Sequence, residues 1–533
     1  MRFIPFKIIL FCCVTLSILP GCSSHQSTAT FSFQHANETT AENFWLLMEE
    51  EISRNGVRNS SAPLVSGFPY LRTNRFLTAL SSRAESESEQ KQFIEQMRRL
   101  DLGARFQEVS CLPDEALAKL CNDAGGAMEL GRLKAYISKV SARMMAADMQ
   151  HKDFFAQVVK AQQVEDEYSL LLRTVGLYPL TSLPVLYLTS KSRQETVEQL
   201  AIPSGLLETQ GNHVLYAYSD RNMLSERNLA MILGRSLANP LRLPLVSVAD
   251  RKRLIENYAP VISQDVAGTD DQFGRVGWDG DSITVDSERP AVYYYLSQTM
   301  LRGYPALQVN YVIWFANRSG PDVSWLEQGR LDGLTFRYTL DWQGQPVFLD
   351  IVQNCGCYHF FVPDRKKVKG VKEKSFALDG FVPVDLPERG ENENFLFQIR
   401  SGNHQMAGIT TSSGVNADQT YELLPYEQLE MLPYRERMFR SLFDGQGIAH
   451  DSSRPESWLL FPMGLHDTGS MRQRGHHAIR LVGREHFDDP HLFDNNFFYH
   501  DFPLPESVRI GKKGKSGSYL QKRVNSMKAL GRR

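Results

Sequence analysis

Leu334-Thr335-Phe336-Arg337-Tyr338-Thr339-Leu340-Asp341-Trp342-Gln343-Gly344-Gln345-Pro346-Val347-Phe348-Leu349-Asp350-Ile351 decides the fold of the second half of the chain. Leu334, Phe336, Tyr338 and Leu340 alternate with polar residues, Asp341 to Gln345 reads as a turn, and Val347, Leu349 and Ile351 alternate again. Side chains of a strand point to opposite faces in succession, so this period of two describes two antiparallel strands joined in a hairpin. Upstream, every odd position from Leu307 to Phe315 is apolar, which predicts another strand with one firmly buried face.

Towards the N-terminus the apolar period becomes that of a helix. Thr39-x-x-Glu42 has the capping-box pattern and leads into Phe44-Trp45-Leu46-Leu47-Met48. Phe93, Ile94, Met97 and Leu100 share one helical face before Gly103, and Leu130, Leu133, Ile137, Val140 and Met144 draw an apolar seam down another helix. Ser225 and Ser247-x-x-Asp250 start two more. Gly268 to Ser282, rich in Gly and Asp, marks the change to strands. The fold class expected is α+β: a helical domain over 39–260, then an antiparallel β-rich domain over 261–508. Residues 364–394, charged and Gly-bearing, read as a long exposed loop. The apolar run Leu170 to Leu188 is interrupted by Arg173, Pro179 and Pro184, and reads as a buried connection or surface segment, not a membrane span.

The first residues carry an address. Met1-Arg2-Phe3-Ile4-Pro5-Phe6-Lys7 holds two positive charges and precedes Ile8 to Leu19, an almost wholly apolar run that ends at Leu19-Pro20-Gly21-Cys22. This is the layout of a secretory signal over 1–21. A run of about a dozen residues falls short of the roughly 20 that span a bilayer as a helix. The Leu-x-Gly-Cys ending resembles the lipobox of bacterial lipoproteins. That resemblance implies cleavage before Cys22, lipidation of Cys22 with acyl chains such as palmitate, and a membrane anchor in the cell envelope. Ser23 after the cysteine implies by the same resemblance the outer membrane in preference to the inner, with the body in the periplasm or outside. The small polar residues that follow suit a flexible tether over 22–38.

About 510 residues would remain, enough for two or three domains, and 42% apolar with 23% charged residues is the composition of a globular chain. The net charge of −2 favours no partner class. Residues 509–533, with nine Lys or Arg and no Asp or Glu, form a basic tail that either contacts anionic lipid or another polyanion or stays solvated. Nucleic acid is not expected as a partner outside the cytoplasm.

Asn354-Cys355-Gly356-Cys357-Tyr358-His359 is the densest chemical signal. On a continuing strand Cys355, Cys357 and His359 would share a face, although positions four apart lie about 13 Å from each other, too far for one zinc unless Gly356 bends the chain. The two cysteines could instead form a strained disulfide. Cys111 and Cys121 are the other candidates for bridging; four cysteines allow three pairings, free thiols or metal use.

Seven of the thirteen histidines lie between His450 and His500. The metal site expected from these clusters joins Cys355, Cys357 or His359 to His466 and His476, with zinc or iron as the cofactor. Asp467-Thr468-Gly469-Ser470 resembles the short signature of aspartic proteases, which implies a catalytic role for Asp467, yet no second Asp-Thr-Gly completes the pair. Asp270, Asp271, Asp279 and Asp281 are candidates for calcium or for a solvated turn. No phosphate loop, nucleophile elbow or dinucleotide fingerprint is present, which disfavours nucleotide enzymes and serine hydrolases. The leading expectation is binding or scaffolding of an envelope partner or ligand. The alternative is a metal-dependent or thiol-based envelope enzyme using Cys355, Cys357, His359 and the His450–His500 region.

Overall fold

Helices dominate the first part of the chain because their apolar stripes close on one another. Helices α1 (Thr40–Arg54), α2 (Glu87–Ser110) and α3 (Leu130–Asp148) bury Phe44, Trp45, Met48, Phe93, Met97 and Ile137 in one core. A capping box starts α2: Ser86 Oγ accepts the Glu89 N–H at 3.3 Å and the Glu89 carboxylate accepts the Ser86 N–H at 2.8 Å. The helix runs through Gly103, where a methyl group would meet nothing within 4 Å. Strand β1 (Phe68–Arg72) crosses α2 and delivers Arg72 to Asp101 at 3.2 Å and Glu108 at 2.5 Å, both fully buried.

These coordinates form a computed structural model that describes residues 40–126, 129–221, 223–374, 378–390 and 393–504. The secretory segment, Cys22, the tether over 22–38 and the basic tail over 509–533 lie outside the described residues.

Two helices, α4 (Leu170–Val175) and α5 (Tyr178–Leu200), lead to strand β2 (Asn212–Ala217), then to α6 (Glu226–Ser236) and α7 (Val248–Tyr258). The strands that follow are β3 (Val261–Val266), β4 (Ala291–Leu301), β5 (Tyr304–Arg318), β6 (Gly329–Leu340), β7 (Pro346–Gln353), β8 (Phe360–Pro363), β9 (Glu393–Ile399) and β10 (Met406–Ser413). One sheet runs β8-β7-β6-β5-β4 and ends on Glu422–Pro425; the other runs β10-β9-β3-β2 and ends on Gln419–Thr420. The fold class is α+β. Antiparallel pairing dominates, with parallel pairs at β9–β3, at β2 with Gln419–Thr420 and at β4 with Glu422–Pro425.

The expected hairpin is β6–β7, in which Tyr338 pairs with Leu349 and Phe336 with Ile351. Its turn is fixed by Asp341, whose Oδ1 accepts the N–H groups of Gln343 and Gln345 at 2.9 and 2.8 Å, while Gly344 takes φ +81°. The two sheets face each other through aromatic pairs, Phe336–Phe397 at 4.7 Å and Tyr338–Phe395 at 5.9 Å.

Three differences from the sequence reading have a common cause, the pairing of distant segments. First, β2 lies before residue 260 yet belongs to the second sheet, and α6 and α7 pack on the core between the sheets while Leu241 and Leu243 join the helical core, so residue 260 does not separate the two cores. Second, part of 364–394 is not an open loop: Val368–Val371 pairs with Phe497–Tyr499. Third, β5, β6 and β7 are buried on both faces, because the C-terminal segment covers the outer one and packs Phe493 against Phe348 with ring centres 4.6 Å apart.

That cover is held by a buried ion cluster. Arg337 on β6 makes a two-pronged pair with Asp350 on β7 at 3.0 and 2.5 Å, donates to the Phe487 carbonyl at 2.5 Å, and lies 3.4 Å from the centre of the Phe487 ring. His359 Nε2 closes on the same carboxylate at 3.0 Å. Removing one member of such a cluster strands a charge in low dielectric. Asp350→Ala is therefore expected to cost about 3–5 kcal/mol in denaturant unfolding. The double substitution Arg337→Met/Asp350→Leu, which leaves no orphan charge, should cost much less; equal losses would show that the cluster's charge is not what matters.

Candidate functional site

Helix α5 lies over the edge of the second sheet near β10 and leaves a cavity of about 770 Å³ beneath it. The helix is held at its C-terminal half: Arg193 donates to the Asp379 carbonyl at 3.2 Å and stacks on Phe381, and Gln199 accepts from Arg400 at 3.2 Å. Burial lowers the Arg193 pKa to about 10. The opposite wall is the turn Asn354 to His359 with the loops around Arg454 and Arg472.

That turn is where β7 stops. Gly356 N–H donates to the Gln353 carbonyl at 2.7 Å and Gln353 N–H to the Cys357 carbonyl at 3.1 Å, so the chain reverses where the sequence reading extended it. Gly356 has φ +91°, and a methyl group there would sit 2.4 Å from the Ala478 carbonyl oxygen, so no other residue fits without movement. Asn354 anchors the turn to the sheet, donating to the Ile313 carbonyl at 3.1 Å and accepting from Thr335 at 2.8 Å.

The reversal brings the two thiols together. Cys357 N–H reaches Cys355 Sγ at 3.4 Å, and both sulfurs belong to the cavity wall. The hydrogen bond from Cys357 favours the Cys355 thiolate, with further help from Arg454, and lowers its pKa; the same bond raises that of Cys357. The pair thus gives up its first proton early and its second late. All four of Cys111, Cys121, Cys355 and Cys357 are free, which corrects the expectation of a disulfide among them.

The structure brings Cys355, Cys357, His359 and His476 to the walls of one cavity but does not assemble them as metal ligands. His359 is committed to Asp350, His476 to Glu167 and to the Ser60 carbonyl at 2.8 Å each, and His466 is exposed outside the cavity. Among the described residues no three His, Cys, Asp or Glu side chains converge as a metal site, so the expected zinc or iron centre is not formed by them. The aspartate group is also spent internally: Asp271 accepts the N–H groups of Ala267, Gly268 and Gly402, while Asp281 pairs with Tyr434 and Arg435 far along the chain. Asp467 is exposed, and Gly469 of the Asp-Thr-Gly-Ser stretch serves the Glu456 carboxylate, which would lie 2.0 Å from a methyl group at that position.

The residues that sequence reasoning missed are isolated arginines and one glutamate. Arg318 and Arg454 share the buried Asp332 at 3.2 and 3.1 Å, yet the Nε of each, like Arg480 Nη2 and Thr468 Oγ1, is buried with no hydrogen-bond partner among the described residues. All four residues line the cavity. Glu456 stands beside them, and burial followed by Glu327 raises its pKa to about 7. No motif marks these positions, because they lie far apart in the chain, Arg318 at the end of β5 and the others on later loops; the one available signal was the long, nearly charge-free run Leu170 to Leu188.

Comparison with known proteins finds no matching family model, no similar curated protein and no similar solved structure. The chemistry of the cavity is therefore the guide to what it takes.

Two outcomes follow from the site. The Gly356→Ala substitution should force the turn from Ala478 and part the thiols, so that the early-ionising step in the pH dependence of alkylation by iodoacetamide moves up towards the ordinary cysteine range. An unchanged profile would show that the contact does not set thiol acidity. Glu456 has a folded-state pKa near 7 against an ordinary 4.5, so its proton-linked stabilisation is complete below the lower value and lost as pH rises through the higher. Glu456→Gln should therefore raise the melting temperature relative to wild type at about pH 8 and leave it nearly unchanged at about pH 4. A pH-independent difference would contradict this.

Proposed function

We propose that this chain is a lipid-anchored bacterial envelope protein that binds an amphipathic, anionic small molecule in the cavity beneath α5. The observation that carries the reading is the composition of the walls. Val185, Leu188, Leu334, Ile351 and Phe360 supply an apolar surface, and among wall arginines and carboxylates that partly offset each other, Arg318, Arg454 and Arg480 each keep a buried guanidinium nitrogen with no partner among the described residues. A cavity of about 770 Å³ has the size of small-molecule sites, and buried guanidinium groups suit a carboxylate or phosphate group. The lipobox resemblance at Leu19 to Cys22 supports the anchor, and the outer membrane with its periplasmic side is the location proposed. Recruitment of an envelope protein partner and contact of the basic tail with anionic lipid remain compatible with this arrangement.

A second reading, thiol-based catalysis, is favoured by the Cys355–Cys357 contact in the same wall. No general base stands within hydrogen-bond reach of either thiol among the described residues, which is why binding leads.

The test is binding of 11-dansylaminoundecanoate to the purified full chain, followed by fluorescence. Micromolar binding is expected, weaker for the neutral amide of the same probe. Thr189→Trp, which places an indole into the cavity from α5, should weaken binding at least about tenfold, or about 1.4 kcal/mol, and hardly shift the melting temperature. Binding indifferent to that substitution, or equal for acid and amide, would overturn the reading.

A further inference from the structure

The face of α4 and α5 turned away from the cavity is apolar and open. Leu170, Leu171, Leu180, Leu183 and Tyr187 are 62–78% exposed, and Trp458, on the short helix Ser457–Leu460, is 83% exposed. These elements are neighbours: Ser169 N–H donates to the Gly464 carbonyl at 2.7 Å, Arg173 Nε to the Met463 carbonyl at 2.9 Å, and a methyl group at Gly176 would strike Pro462. Arg173 is the one charged residue between positions 170 and 190, and its guanidinium is turned inward onto the Met463 and Gly483 carbonyls and the rings of Tyr168 and Tyr178. An exposed surface of large apolar side chains without charge is uncommon on a globular protein and marks a place of contact.

We propose that this surface docks on a lipid bilayer, a proposal that rests on the lipid-anchor reading for its strength but not for its chemistry. A protein partner is normally met with a polar rim, whereas leucines flanked by Tyr187 and Trp458 are the side chains that settle at the boundary between headgroups and acyl chains. No described helix is long and apolar enough to cross a membrane, so the contact is interfacial, with the apolar face entering by about 5–10 Å. The chain length agrees: the stretch from Cys22 to Thr40 can reach about 60 Å at most. An anchor at Cys22 would thus hold the surface within reach of the membrane at high effective concentration, so that a weak patch suffices. Docking would place α5 between the bilayer and the cavity, and the amphipathic ligand proposed above would be drawn from that bilayer.

Six tryptophans make the test direct. Trp45, Trp314 and Trp342 are buried, whereas Trp458 and Trp325 are both open to solvent, so every measurement is made in a Trp325→Phe background. The full chain, extracted from the bacterial envelope and reconstituted in phosphatidylcholine vesicles whose acyl chains carry bromine, should show quenched tryptophan fluorescence. The quenching should be lost in Trp458→Phe and in Leu180→Asp/Leu183→Asp, whose exposed positions leave the core untouched. Mass analysis of the N-terminal peptide reads the anchor separately. Quenching that the aspartates abolish supports docking whether or not Cys22 is acylated. An acylated chain retained on vesicles with no quenching overturns docking while the anchor reading stands. A covered Trp458 in a dimer, or beneath residues 1–39, likewise overturns it, with quenching absent and light scattering separating the two.

Discussion

Asp332 is the charge on which the cavity depends. It is fully buried on β6, where burial opposes ionisation, yet Arg318, Arg454 and His404 outweigh that cost and hold its carboxyl well below the usual range. His404 Nδ1 meets it at 2.9 Å from the loop between β9 and β10, and Arg454 meets it from the segment that leads to Trp458. One carboxylate thus ties the sheet that carries the Cys355–Cys357 turn, the loop at the edge of the other sheet, and the wall that carries Glu456. Removing it would leave the Arg454 guanidinium buried without a carboxylate partner and Arg318 with Glu327 alone, a greater loss than any single surface pair could cause.

Helix α5 gives the arrangement its direction. Its inner side lines the cavity and its outer side is the exposed apolar surface. Pro184 sits inside this helix, where the missing N–H and the ring loosen the hydrogen-bond ladder. The helix is fastened at its C-terminal half by Arg193 and Gln199, while the half that carries Leu180 and Leu183 is exposed.

Legibility in the sequence tracked how local each interaction is. The β6–β7 hairpin and helix α3 were readable because periods of two and of 3.6 are written in neighbouring residues. The turn at Cys355 was half readable: the thiols were flagged, but their contact needs Gly356 at φ +91° against Ala478, more than a hundred positions away. The proposed joining of His466 and His476 to that turn failed for a related reason. Imidazoles near in sequence found partners far from it, His476 in Glu167 and Ser60, and those bonds leave no free nitrogen for a metal.

The sequence by itself determined the α+β class, helices such as α2 and α3, the β6–β7 hairpin and the signal-like N-terminus, since each rests on composition and periodicity over a few residues. The tertiary structure alone decided that β2 joins a sheet formed mostly by later strands, that Arg318, Arg454 and Glu456 meet, and that Leu170 to Leu188 stays uncovered. Those outcomes depend on which distant segments pair and on how buried charges are neutralised, and a hydrophobic period carries no information about either.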